Sequence, residues 1–245
     1  MDSPINRDGT LSCLFTSILA SIREFYNELT EFMIDNKLDS CSEGAYRDLC
    51  RSFLKTCGLE LRTGDTKKKT LNIGDLDVKS IPDLRCCLRD EKSAAYYFRT
   101  KTETVVMIGE VKRWRRNWKL QRSLDFKSHH LQPCNVLGQH GGKLLLETRD
   151  TCFNFKKGSN QQLSRLVFGA MAIGTQIVFT ALEITEQHLT DIESVKTDKG
   201  RVNDEVNVGD SNIFYTRPYD FFKAADRSLL YESLLRLACY QKGFK

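Results

Sequence analysis

The sequence predicts an α/β protein in which a mixed central sheet is flanked by helices. Three observations predict it. Apolar residues recur at three- and four-residue spacing near the start, the middle of the chain switches to short β-branched runs, and the end returns to helical spacing. Strands enclosed in sequence by helices on both sides are the pattern of a layered α/β architecture.

The elements follow in order. Residues 11–36 place Leu11, Phe15, Ile18, Leu19, Ile22, Phe25, Tyr26, Leu29 and Phe32 on an amphipathic helix. A second helix starts at Ser42, a good N-cap, and stops at Gly58. Short strands are expected in "LELRTGD" and "TLNIGDLDV", and longer ones in "IPDLRCCLR" and in the stretch ending "TVVMIGEVK". The last two read as a hairpin with its turn near "RDEKS". A basic, irregular insertion then runs over about 113–159, with a short strand at Lys143–Glu147. "NQQLSRLVFGAMAIG" reads as a helix and "TQIVFTALEIT" as a strand. The span 186–211 is a polar loop or hairpin, "NIFYTRPYDFF" a last strand, and "ADRSLLYESLLRLACYQ" a terminal helix docking Leu230, Leu234 and Leu237. Residues 1–40 are thus a helical extension and 41–245 one domain. The extension packs on the core or partners a second copy in a homodimer.

With 40% hydrophobic and 28% charged residues the chain reads as soluble and globular. No apolar run approaches the ~20 residues of a membrane span. Nine cysteines, an odd number without a CxxC pair, argue for reduced thiols, so an intracellular place, nucleus or cytoplasm, is expected. The net charge of +5 is mild. The segment "KRWRRNWK", however, interleaves Arg113, Arg115, Arg116 and Lys119 with Trp114 and Trp118, a mix suited to phosphate contact and base stacking. Packing of the two Trp on the core, or a membrane surface, are its rival readings. His129, His130, Cys134 and His140 fit no usual zinc spacing and read as loop residues.

Acid-x-Lys occurs six times and means little alone. Glu110 and Lys112 differ because they end an apolar β-branched run and share one face of it, on the side of Val106 and Ile108. Upstream, Pro82 opens a strand where its missing N–H costs little, and Asp83 enters it at once. Asp is poor in strands and needs a reason. If the two strands pair, Asp83 lies beside Glu110. Two such carboxylates suit a hard, oxygen-seeking cation, and a nearby ammonium adds stabilisation of developing negative charge.

Pro82-Asp83 followed by Glu110-Val111-Lys112 resembles the signature of the PD-(D/E)xK, or restriction-endonuclease-like, nuclease superfamily. The resemblance implies an αβββαβ core over about 42–183 and hydrolysis of phosphodiester bonds in DNA or RNA with Mg²⁺ or Mn²⁺. It implies that Asp83, Glu110 and the carbonyl of Val111 hold the metal and that Lys112 orients and helps deprotonate the attacking water. Glu43 is the candidate for a further acid from the preceding helix, its alternative being a first-turn acid favoured by the helix dipole. Gln161 or Gln162 stands where some members place a Gln, or is simply polar at a helix start. Asp75 or Asp77 is an alternative acid. The rival functions are a catalytically inactive nucleic-acid-binding module on the same fold and a protein-interaction domain.

Overall fold

The computed structural model describes residues 7–35, 42–63, 69–73, 76–88, 105–112, 134–157, 162–194, 197–198, 201–202 and 211–242. Two helices lead, α1 (Arg7–Asp35) and α2 (Glu43–Thr56). As expected, the Ser42 hydroxyl caps α2 by accepting from the Ala45 N–H, and Gly58 leaves it with φ of 83°.

The main sheet is eight-stranded. Its path runs β1 (Leu61–Thr63), β4 (Leu84–Cys87), β5 (Val105–Lys112), β7 (Gln162–Ile173), β8 (Gln176–Thr185) and β11 (Ser211–Tyr215). β6 (Phe153–Lys157) adds to β7, and β12 (Tyr219–Asp220) to β8. All neighbours are antiparallel except β5 and β7, which are parallel and joined through α3 (Cys134–Leu146). β2 (Lys69–Ile73) and β3 (Leu76–Ser80) form a separate hairpin between β1 and β4. α4 (Glu186–Ser194), the small ribbon of β9 (Thr197–Asp198) and β10 (Arg201–Val202), and α5 (Ala224–Gln241) complete the fold.

Helices cover both faces. On one, Phe25 and Phe32 of α1, Tyr46 and Phe53 of α2 and Leu230 and Leu234 of α5 meet Leu84, Met107, Val111 and Ala170 of the sheet. Phe53 stacks on Phe221 at 4.8 Å, and Phe25 meets both edge-on or nearly so. On the other face, Leu144 of α3 and Leu189 of α4 cover Ile108, Val167 and Leu182. A buried side chain of this kind contributes about 1.5–3 kcal/mol, so these two clusters fix the sheet between its helices.

Several expectations need correction. The stretch read as a helix from 160 is the twelve-residue strand β7. Its run "LVFGAMAI" is buried on both faces, and a doubly buried strand loses the alternation that identifies strands. The short strand expected at Lys143–Glu147 lies instead in α3 and just after it. Residues 134–157 therefore belong to the layered core and not to a basic insertion. The polar span from 186 begins with α4, and the last strand is broken at Thr216–Pro218 into β11 and β12. Val106 does not share the face of Ile108, because the register slips between Cys86 and Cys87 and turns it toward the α2 side.

Candidate active site

β4 and β5 pair with Leu84 opposite Gly109, so the next positions outward are Asp83 and Glu110. The Val111 N–H donates to Asp83 Oδ2 at 2.8 Å. Gly109 leaves room for this pairing, since a Cβ there would stand 3.0 Å from that of Leu84. Pro82 is buried and Asp83 half-buried at the mouth of the strand.

Glu110 is only 1% exposed on the α3 side of the sheet. It takes two ammonium partners. Lys143 of α3 contacts Oε2, and Lys112 Nζ lies 2.9 Å from Oε1. Oε1 is buried, and the Lys112 ammonium is the cation that faces it. Lys112 also stands 3.4 Å from Glu43 Oε1, bringing the first turn of α2 to the site. Asp83, Glu110, Lys112 and Glu43 thus come together at the carboxyl end of β5, the end where open α/β sheets hold their ligands.

The charges act on one another. Burial pushes the Asp83 carboxyl up, the Val111 N–H opposes this, the Glu110 charge adds to it, and Lys143 and Lys112 pull back; the net direction is upward. Burial disfavours the Lys112 ammonium, but Glu110 and then Glu43 outweigh it, and its pKa is raised. Burial, followed by the Asp83 charge, pushes the Cys50 thiol beneath the site up to about 12. Lys112 is therefore an ammonium at neutral pH and Cys50 a neutral thiol.

The donors present fit a hard divalent cation. They are two adjacent carboxylates and a backbone carbonyl, all oxygen. Among the described residues no three His, Cys, Asp or Glu side chains gather as a metal-ligand cluster. Glu43, 52% exposed, approaches the site through Lys112.

The remaining expected site residues fall elsewhere. Arg113, Trp114, Arg115, Arg116, Trp118, Lys119 and Gln161 lie outside the described residues, as do His129, His130 and Asp75. Gln162 is an exposed residue opening β7, not a helix residue, and pairs in register with Lys157 of the edge strand β6. Asp77 points into solvent with Lys79 at 3.3 Å and does not join the acids. His140 is not a loop residue: it is buried in α3, with Nε2 2.7 Å from Thr180 Oγ1. Lys143 is the residue that sequence reasoning missed. A Glu-x-Lys motif names its own lysine, whereas nothing local in "GGKLLLE" marks a second one for Glu110.

No family model matches the chain, and neither a curated protein nor a solved structure matches it. Among the described residues no helix is long and apolar enough to cross a membrane.

Proposed function

We propose that this chain is a metal-dependent nuclease of the PD-(D/E)xK type, hydrolysing phosphodiester bonds in DNA or RNA. The observation that carries the reading is the pairing of Asp83 with the Glu110-Val111-Lys112 strand, one acid bonded to the backbone of the other's neighbour. The element order supports it. α2, β1, β4, β5, α3 and β7 run in the αβββαβ order of that family, with β5 and β7 parallel, the β2–β3 hairpin inserted after the first strand and the edge strand β6 before β7.

In this reading Asp83, Glu110 and the Val111 carbonyl hold Mg²⁺ or Mn²⁺, with Glu43 as the outlying acid. The bound ion supplies charge for the phosphoryl oxygens and a water of lowered pKa. The protein's part is to hold the two carboxylates side by side, with Lys112 and Lys143 placed to offset their mutual repulsion. Lys112 keeps its proton while Glu110 and Glu43 face it. A cation on those carboxylates would weaken what raises its pKa, and Lys112, having released its own proton to solvent, would orient the attacking water and accept a proton from it. The basic, Trp-bearing segment 113–119 continues from Lys112 and supplies the cations for the backbone.

The two ammonium groups on Glu110 favour a second reading as well, a nucleic-acid-binding domain whose acids are already balanced and which does not cleave. Labelled single- and double-stranded DNA and RNA, incubated with Mg²⁺, Mn²⁺ or EDTA, separate the two. Cleavage that needs the metal and disappears in Asp83→Ala and Lys112→Ala supports the nuclease; binding without cleavage under any metal supports the second reading.

A further inference from the structure

We propose that the cleft between α3 and the β2–β3 hairpin seats a single nucleotide of the substrate strand beside the scissile phosphate. The inference rests on the nuclease reading and names the form in which the substrate enters. The cleft measures about 530 Å³. That is within the roughly 300–1,000 Å³ of small-ligand sites, a scale that suits one nucleotide and not a length of duplex.

Both walls lead to the acids. Ser80, on the hairpin wall, lies three residues before Asp83 in the chain. Lys143, on the helix wall, is also the ammonium on Glu110. A group in the cleft therefore has Lys143 between itself and the metal-binding carboxylates, a position suited to the shared phosphate. Lys79 provides a second ammonium and Gln139 an amide, while Val78 and Leu146 give an apolar surface for a sugar or base.

The helix wall contains Gly138 and Gly142, both inside α3. A helical Gly costs about 0.5–1 kcal/mol relative to Ala. Neither has the positive φ that would demand glycine. A Cβ at either would meet nothing within 4 Å, so packing does not demand it either. The space they leave opens into the cleft, where bare helix backbone lets a ligand come closer than any side chain would.

The test measures anisotropy of labelled single-stranded pentamers and of a blunt duplex on the full chain in EDTA at about 150 mM salt, where the basic segment binds less. Gly138→Leu and Gly142→Leu fill the cleft and are better helix formers, so melting temperatures should hold or rise. Each is expected to weaken single-strand binding at least tenfold and duplex binding much less. A 4-thiothymidine strand should photo-crosslink to peptides carrying residues 78–80 or 138–146. Wild-type single-strand affinity in both Leu variants, or crosslinks confined to other peptides, overturns the seat while leaving metal-dependent cleavage untouched. A wild-type chain that binds no nucleic acid here overturns the seat, and one that also cleaves none with Mg²⁺ or Mn²⁺ overturns the nuclease reading with it.

Discussion

The Val111 N–H donates to Asp83 Oδ2 at 2.8 Å, tying the acid just before β4 to the residue between Glu110 and Lys112. The carboxylate is held half-buried, where desolvation disfavours its ionised form more than the Val111 N–H favours it.

Asp83→Asn tests that cost. The raised pKa means the folded state prefers protonated Asp83, so its contribution to stability is full in acid and is lost as pH rises through the folded value. Asn keeps an oxygen for the Val111 N–H and carries no charge. Its melting temperature at pH 7 should equal or exceed the wild type's. Mn²⁺ at a hundredfold excess over Kd should stabilise the wild type by about 2.7 kcal/mol and leave Asp83→Asn unmoved. Equal metal shifts in both proteins would remove Asp83 from the site.

Glu147→Ala is expected to be far more damaging. Glu147 and Arg85, 1% and 2% exposed, meet at 2.7 Å, and Lys69 adds a second cation to the same carboxylate oxygen. Removing the acid breaks a buried ion pair, which costs about 3–5 kcal/mol. Urea unfolding measures it; a loss under 1 kcal/mol would show that water or another acid replaces Glu147.

Gly169→Ala should destabilise by about 1–3 kcal/mol through overpacking. Its Cβ would stand 2.6 Å from both His140 Nε2 and Thr180 Oγ1, two buried side chains already bonded to each other. Thermal melting checks this, and a wild-type melting temperature would mean that α3 can shift away from β7.

Acid should weaken the fold through His140. Burial, and then the charge of Lys143, lower its pKa from 6.5 to about 4. A His held neutral stabilises fully above the unfolded pKa and progressively less as pH falls from 6.5 to about 4. The loss reaches about 3 kcal/mol at 1.36 kcal/mol per pH unit. Unfolding free energies across that window should slope accordingly, and His140→Gln should flatten the slope. An unchanged slope in the variant would assign it to the carboxylates instead.

The parts of this protein legible in its sequence were those with a local signal. The 3.6-residue periodicity of α1, α2 and α5, the Ser42 cap, the β-branched run of β5 and the Pro-Asp entry to β4 each follow from neighbours in the chain. The pairing of Asp83 with Glu110 could be posed as a condition for the same reason. β7 and α3 were not legible. Short apolar residues such as Gly169, Ala170 and Ala172 suit a helix or a doubly buried strand, and pairing with β5 and β8 settled the matter. α3 carries Gly138, Gly141 and Gly142 and is held by packing of Val136 and Leu144 rather than by propensity. Residues far apart in the chain supplied the rest: Lys143 for Glu110, Glu147 for Arg85, Thr180 for His140. Those partnerships arise because a buried charge or ring must find its partner across the fold, and no local spacing encodes which one.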